Sequence, residues 1–236
     1  MSDTTVDRRL LLGGGVVAAA AIAGAAASQP ATPPSPPGHA FAPQPAAMPF
    51  NPAAVSGLSE KLLRSHFDNN YTGAVKRLGA ISGQFAALDP ATAPGFVLNG
   101  LKREELIAWN SMVLHELYFA GLGAAKPAGA ALAAAIERDF GSDGRWRAEF
   151  TGMGKALGGG SGWVLLMWSH RDRRLVNQWA ADHTMTLAGG APILALDMYE
   201  HAYAMDYGAK AAAYVDAVVA GLNWSAADAA FARASA

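Results

Sequence analysis

The chain has 236 residues, of which 52% are hydrophobic and 16% are charged, so it can form one sizeable domain or two small ones and is too apolar to be disordered throughout. A formal net charge of −1 without any basic block argues against a nucleic-acid-binding protein. The sequence contains no cysteine, which excludes disulfide scaffolds, thiolate metal sites and thiol catalysis and directs attention to the six histidines.

Residues 1–27 are predicted to form an export signal. Arg8 and Arg9 precede an uncharged run rich in alanine and glycine, which ends in Ala25-Ala26-Ala27 as a small-residue cleavage site. Adjacent arginines and weak hydrophobicity are typical of the twin-arginine route, which delivers a periplasmic or secreted protein. The alternatives are a chance arginine pair and an N-terminal membrane anchor, which alanine and glycine would support only marginally. We therefore expect no stable membrane insertion after signal removal.

Residues 28–49 are rich in proline and are predicted to form an extended tether. His39 lies within this segment and is expected to be exposed to solvent. The folded unit then begins near residue 50. It is predicted to comprise an N-terminal helical hairpin domain over residues 50–125 and a C-terminal domain over residues 126–236.

The first part of the folded unit has helical periodicity. Apolar residues recur at helical spacing over residues 58–81, with Ser59 as the N-cap, and again over residues 102–122. Two shorter helices are predicted over residues 128–140 and 143–157. These patterns indicate a long-helix hairpin followed by two more helices.

From residue 162 onward, the spacing of apolar residues changes from that of helices to that of strands. Residues 162–169, 174–181 and 191–197 are predicted to be three strands, and the tail over residues 200–222 returns to helix, with a short helix from Ser225. Helices on both sides of a three-stranded antiparallel sheet predict an α+β fold. In this fold the N-terminal hairpin precedes a sheet domain surrounded by helices.

Four polar residues lie at positions that suggest a metal centre. His66 and His115 are in mid-helix among apolar residues, Asp197 ends the third strand, and His201 follows four residues later. A buried polar group without a partner costs about 1–3 kcal/mol, and one shared metal ion would partner all four. Three imidazoles and a carboxylate suit iron, manganese or zinc. From the residues alone, a shared metal site and separate core residues both remain open.

Three motifs follow one another in the C-terminal half: Gly160-Ser161-Gly162-Trp163, the run from Asp197 through Tyr199-Glu200-His201-Ala202-Tyr203 to Asp206-Tyr207, and Asn223-Trp224. Their pattern resembles the C-terminal domain of the iron/manganese superoxide dismutases. The helices that carry His66 and His115 resemble the two ligand helices of that family, and the likeness covers about residues 55–231. The resemblance implies that His66, His115, Asp197 and His201 bind one metal ion per subunit.

The resemblance also implies an activity, the disproportionation of superoxide to dioxygen and hydrogen peroxide by redox cycling of one iron or manganese ion. In the family, a glutamine or histidine from the loop between the second and third strands bonds the solvent ligand of the metal. Here the candidate is His183, with an exposed loop histidine as the alternative. Since a histidine replaces the glutamine typical of manganese enzymes, iron is expected in preference to manganese. Trp163 and Tyr199 would form the apolar wall of the site.

The resemblance further implies a homodimer, in which Glu200 reaches across a two-fold axis to His201 of the partner subunit. The family's gateway pair is altered, because Asn70 and Ala74 stand where the family has a histidine and a tyrosine, and Ala204 replaces the tyrosine that meets the partner's gateway histidine. Tyr71 is near but is expected to lie in the core.

These departures leave two other interpretations. One is a metal-binding relative without dismutase activity, with a structural or binding role, which the altered gateway favours. The other is a different metalloenzyme that uses histidine and carboxylate ligands, such as an oxygenase or a hydrolase. Four protein ligands argue against that interpretation because they leave little room for open coordination positions.

Overall fold

The first long helical stretch is interrupted where it passes His66. The computed structural model describes residues 38–236, so the predicted export signal and residues 28–37 lie outside the described residues. Helix α1 (Glu60–Ser65) begins after Ser59, whose side chain accepts a hydrogen bond from the Leu62 N–H at 3.1 Å, as the predicted N-cap requires. The chain continues through a wide π turn (His66–Tyr71) into α2 (Thr72–Ala87). Such turns are frequent at functional sites.

Helix α3 spans Gly95–Ala120 and packs against α2. The prediction of a start at residue 102 is wrong by two turns of helix. The reason is that residues 95–100 are mostly exposed, with Phe96 81% exposed, and therefore carry no apolar periodicity. The predicted hairpin of two long helices is confirmed.

Residues 38–49 run without helix or strand and lie along this hairpin. The Phe41 N–H donates to Ser82 Oγ at 2.6 Å, the Ala46 N–H donates to Tyr71 Oη at 2.7 Å, and the ring of Phe41 stacks on Trp109 at 5.3 Å. His39 is exposed, as predicted. The Pro-rich segment thus contacts the folded unit over these residues, where the sequence predicted a tether outside it. Side-chain oxygens on the helices provide acceptors that composition alone does not reveal.

Two shorter helices, α4 (Ala130–Phe140) and α5 (Asp143–Ala156), connect the hairpin to the sheet. The sheet has three antiparallel strands, β1 (Trp163–Ser169), β2 (Arg174–Ala180) and β3 (Gly190–Asp197), in the order β2-β1-β3. The predicted bounds agree with these to within about two residues. The central strand β1 is buried along its whole length, which explains its uninterrupted apolar sequence.

The register of the sheet positions the end of β3. Trp163 pairs with Asp197, so the first residue of β1 lies beside the last residue of β3. Gly162, immediately before β1, has φ +130°, and a Cβ there would lie 2.1 Å from the carbonyl oxygen of Ala180. Only glycine permits this close approach of the chain to β2.

The tail is not the single helix predicted over residues 200–222. A 3₁₀ turn (Glu200–Ala202) is followed by α6 (Ala204–Tyr207), and α7 begins only at Ala211 and ends at Ala220. Gly208 separates α6 from α7 with φ +55° and ψ −126°, a backbone conformation that no helix contains. The last helix, α8 (Ser225–Ser235), begins where predicted.

One continuous set of buried apolar side chains joins the hairpin to the sheet. Helices α3, α5 and α8 pack against the sheet, and the α+β class is confirmed. Across residues 38–236, no helix has both the length and the apolar character that a bilayer span needs.

Candidate metal centre

The four predicted ligands come from separate elements and meet at one point. His66 begins the π turn, His115 lies near the end of α3, Asp197 ends β3, and His201 lies in the 3₁₀ turn that follows. One nitrogen or oxygen atom from each residue lies within 4.8 Å of the other three. The fold therefore brings together residues that are up to 135 positions apart in the chain.

The three imidazoles surround one carboxylate oxygen. Asp197 Oδ2 lies 3.1 Å from His66 Nε2, 3.5 Å from His115 Nε2 and 3.2 Å from His201 Nε2. His66, His115 and Asp197 are almost completely inaccessible to solvent, whereas the side chain of His201 is 27% exposed. The centre is thus closed on three sides and accessible beside His201.

The hydrogen bonds of the ligand residues leave atoms free to bind a cation. His115 Nδ1 donates to the Ser111 carbonyl oxygen at 2.6 Å, so the lone pair of this ring is on Nε2, which has no hydrogen-bond partner among residues 38–236. In the part of the chain that the structure describes, neither ring nitrogen of His66 has a hydrogen-bond partner, although Nε2 lies 3.1 Å from Asp197 Oδ2. Asp197 Oδ1 accepts from the Tyr199 N–H at 2.8 Å, which leaves Oδ2 directed at the imidazoles.

A buried nitrogen without a hydrogen-bond partner destabilises the folded state by about 1–3 kcal/mol, unless a bound ion accepts its lone pair. Three imidazole nitrogens and a carboxylate oxygen, without thiolate, form a donor set for iron, manganese or zinc. The residues present therefore fit the metal ion that the sequence motifs imply.

The electrostatics of the centre also favour cation binding. Burial lowers the pKa of His66 and lowers the pKa of His115 to about 3, so both imidazoles are neutral and able to donate a lone pair. Burial alone would raise the pKa of Asp197, but the hydrogen bond from His201 and the close approach of His66 keep that pKa well below its usual range. A neutral imidazole pair beside an ionised carboxylate is the protonation state that a metal ion requires.

His183 lies in the loop between β2 and β3, where the sequence predicted it, and its orientation is held from two sides. The Trp163 indole N–H donates to His183 Nδ1 at 3.0 Å, and the Asn110 side-chain amide donates to the His183 carbonyl oxygen at 2.6 Å. Because an indole N–H is only a donor, Nδ1 must be the acceptor and the ring hydrogen must be on Nε2. The ring centre is 6.2 Å from that of His115, close enough to face a molecule at the centre.

The predicted apolar wall is formed by Trp163 and Tyr199. The Trp163 ring meets His115 edge-on at 5.2 Å, and the Tyr199 ring stacks on His183 at 4.8 Å and on His201 at 5.3 Å. Burial, and then the charge of Asp197, raise the pKa of Tyr199 to about 12, so the phenol is neutral. These aromatic rings restrict access of water to the imidazoles.

The two altered gateway positions lie together beside the centre. Asn70 and Ala74 line a cavity of about 290 Å³ that Ser111, Arg77 and His183 also line. The methyl group of Ala74 leaves space that a tyrosine would occupy. Tyr71 does not replace it, because this side chain is 1% exposed and donates to Glu116 Oε1 at 2.9 Å, in the core as predicted.

Some contacts of the site were not predicted from the sequence. The Asn70 side-chain nitrogen lies 3.0 Å from His201 Nδ1, and Tyr214 Oη donates to the Asp197 carbonyl oxygen at 2.7 Å. Glu200, the predicted dimer residue, is exposed in the single chain. The sequence signal for the contact between Asn70 and the centre is the position of Asn70 four residues after His66, because residues so spaced share one side of a helix.

Comparison with known proteins agrees with this geometry. A family model described as the C-terminal domain of iron/manganese superoxide dismutases matches residues 127–230. An iron superoxide dismutase of Cupriavidus metallidurans is 68% identical over 183 residues, which cover 78% of this chain and 93% of that relative.

Of two more distant relatives, one is named as an iron enzyme and the other as a manganese enzyme. An iron superoxide dismutase of Aquifex pyrophilus is 32% identical over 184 residues, 74% of this chain and 84% of its own. A manganese superoxide dismutase of Halobacterium salinarum is 33% identical over 171 residues, 71% and 83% of the two chains. Since the similarity extends across most of each chain and the family model includes Asp197 and His201, the chain belongs to the iron/manganese superoxide dismutase family.

Proposed function

We propose that the protein is a superoxide dismutase with one iron ion, or alternatively one manganese ion, per subunit. The observation that carries this proposal is the convergence of His66, His115, Asp197 and His201, with buried nitrogens that lack protein partners within residues 38–236. The iron enzyme of Cupriavidus metallidurans, at 68% identity, supports the same activity.

Bound by these four residues, the ion supplies one-electron chemistry, by which one superoxide is oxidised to dioxygen and another is reduced to hydrogen peroxide. The residues of the chain orient the metal ligands and deliver protons. The ring hydrogen of His183 is on Nε2 because Trp163 donates to Nδ1, so this histidine, beside the centre, can donate a hydrogen bond or a proton. Trp163 and Tyr199 exclude bulk water from the imidazoles.

We propose iron as the preferred metal, because the residue at position 183 is a histidine. A donor at this position adjusts the redox potential, and each metal needs a different adjustment. Purified protein loaded separately with iron and with manganese should show the higher superoxide turnover with iron. Full activity in the manganese form alone would refute this preference.

The altered gateway supports a second candidate, a metal-binding relative without dismutase activity. Ala74 provides no phenol at the cavity beside the centre, and Asn70 provides an amide in place of an imidazole. Metal analysis combined with a superoxide-consumption assay separates the two candidates. Stoichiometric metal with turnover supports the dismutase, whereas stoichiometric metal without turnover supports the second candidate.

The subunit is proposed to form a homodimer in which Glu200 lies at a two-fold interface. Its carboxylate is exposed in the single chain and stands next to the ligand His201, a position suited to a reciprocal contact. Sedimentation should show a dimer at micromolar concentration, and Glu200→Ala should shift it toward monomer. A wild-type monomer with fully bound metal would contradict the dimer.

Export by the twin-arginine route to the periplasm or the medium is proposed from Arg8 and Arg9. This route carries folded proteins, so the metal can be inserted before translocation. The double variant Arg8→Lys and Arg9→Lys should leave precursor in the cytoplasm. Undiminished export of that variant would refute the route.

A further inference from the structure

An arginine lines the cavity beside the metal centre. We call this space of about 290 Å³ the gateway cavity, and Asn70, Ala74, Ser111, His183 and Arg77 are among the residues that line it. Arg77 lies on α2, and its side chain is 55% exposed, so the guanidinium is accessible to solvent. Among the described residues that line the gateway cavity, Arg77 is the one with a fixed charge.

The charge of Arg77 is only partly neutralised by its neighbours. Its guanidinium pairs with Glu104 of α3, and the same carboxylate lies 3.2 Å from the guanidinium of Arg103. Two arginines therefore share one glutamate, and this group of three side chains keeps a net positive charge. Asp182, next to His183 in the chain, does not line the gateway cavity, and its Oδ1 accepts from the backbone and hydroxyl of Thr184.

The charge of Arg77 acts across the gateway cavity. Burial lowers the pKa of His183, and the positive charge of Arg77 acts in the same direction. The cavity wall also includes the apolar side chains of Ala74, Ile107 and Ala108. Apolar walls of low dielectric focus the field of a charge, so an anion that enters the gateway cavity is attracted toward Arg77.

The chain as a whole does not attract anions, because its formal net charge is −1. Superoxide is an anion, so a local positive charge near the centre raises its concentration there and its rate of encounter. We propose that Arg77 attracts superoxide into the gateway cavity, and that Glu104 limits this attraction by pairing with the same guanidinium. This inference rests on the proposed function, since it concerns the approach of the substrate of that reaction.

A purely structural role for the ion pair makes a different prediction. If Arg77 and Glu104 serve only to join α2 to α3, loss of either partner removes the same contact, and the two substitutions act in the same direction. Attraction of superoxide predicts opposite directions. Loss of Arg77 removes the attracting charge, whereas loss of Glu104 leaves that charge without its counter-ion.

The test compares three variants of the iron-loaded full chain: Arg77→Gln, Glu104→Gln and Arg77→Lys. The readouts are kcat and kcat/KM for superoxide and, independently of turnover, the dissociation constant of azide as a small anionic probe. Azide binding is followed in the optical spectrum of the ferric protein, and the melting temperature of each variant reports its stability.

The variants should differ most at low ionic strength. At about 0.01 M, Arg77→Gln should lower kcat/KM about threefold, leave kcat unchanged and weaken azide binding by a similar factor. Glu104→Gln should raise kcat/KM and strengthen azide binding. Arg77→Lys should stay within about twofold of the wild type, because it keeps the charge. At an ionic strength of about 0.5 M the differences should nearly disappear, since salt screens the charge.

Arg147→Gln and Glu137→Gln are the matched controls, because they change the net charge by the same amounts. Arg147 lies on α5 and pairs with Asp143 at 2.6 Å, and Glu137 is exposed on α4. Neither residue lines the gateway cavity. Both variants should keep the wild-type kcat/KM and azide affinity.

Two results would overturn the inference: wild-type kcat/KM and azide affinity in Arg77→Gln at low ionic strength, or a decrease of both quantities in Arg77→Gln and Glu104→Gln alike. A failure of the proposed function is distinguishable, because the iron-loaded wild type itself would then consume no superoxide. The azide comparison would still decide whether Arg77 attracts anions to the centre. A wild type that binds no iron would overturn both proposals.

Discussion

The metal centre has a buried part, formed by His66, His115 and Asp197, and a more accessible mouth, formed by His201 and His183. The two regions differ in whether their polar atoms have hydrogen-bond partners within the protein. Within the described residues, the inward nitrogens of His66 and His115 have no hydrogen-bond partner. At the mouth, His183 pairs with Trp163, and His201 pairs with Asn70. The buried part therefore depends on an added ion, whereas the polypeptide alone organises the mouth.

This difference implies that substitutions in the two regions have separable effects. Changes in the buried part should remove the metal and, with it, part of the stability. Changes at His183 and Trp163 should leave the metal in place and alter turnover. Four predictions examine this separation.

The largest effect is expected from Asp197→Ala. The three imidazoles that surround Asp197 Oδ2 lose the only anionic donor among the four residues, so metal per chain should fall about tenfold or more, and superoxide turnover with it. Elemental analysis of the purified variant measures this loss. His170→Ala, an exposed histidine, is the control and should retain full metal. Stoichiometric metal in Asp197→Ala would disprove the four-ligand site.

The second prediction concerns acid stability of the metal-free protein. Unfolded His66 and His115 bind protons near their ordinary pKa of 6.5, whereas burial lowers the pKa of folded His66 and lowers that of folded His115 to about 3. The unfolded state therefore binds more protons, and the free energy of unfolding should decrease as pH falls from 6.5 toward 3. The expected slope is about 1.4 kcal/mol per pH unit for each histidine.

Urea unfolding of chelator-treated protein at a series of pH values measures this slope. The metal-loaded protein should resist acid to a lower pH because the ion holds both imidazoles in the neutral form. A metal-free protein whose stability is constant between pH 6.5 and 4 would show that the histidines are not buried as neutral rings.

The third prediction concerns the mouth. His183→Ala should lower superoxide turnover about 10–100-fold, because it removes a proton donor beside the centre, while metal content stays near that of the wild type. Turnover and metal content are measured on the same sample. Loss of the metal in this variant would remove the distinction between the two regions.

The smallest effect is expected from Trp163→Phe. Phenylalanine keeps most of the apolar wall but removes the N–H that donates to His183 Nδ1 at 3.0 Å, so the His183 ring is no longer restricted to one tautomer. Loss of one such hydrogen bond, worth about 1 kcal/mol, should lower turnover about fivefold. Turnover equal to that of the wild type would show that Trp163 acts only as an apolar contact.

The sequence by itself determined the elements whose signals are local. Ser59 caps helix α1 because its hydroxyl accepts from the backbone N–H three residues later. The apolar run over residues 162–169 predicted a buried strand, which the structure contains as β1. The motif that contains Asp197 and His201 identified half of the donor set, since both residues are close in the chain.

Only the tertiary structure decided the contacts that join distant segments. The π turn at His66, the break at Gly208 and the packing of residues 38–49 on the hairpin produce no apolar periodicity, so pattern reading did not find them. The bond between Asn70 and His201 is the clearest example. An amide at position 70 has many possible partners in an unfolded chain, and packing of the hairpin against the end of β3 selects one, because the polar groups enclosed there must pair with whatever the fold brings within 3 Å.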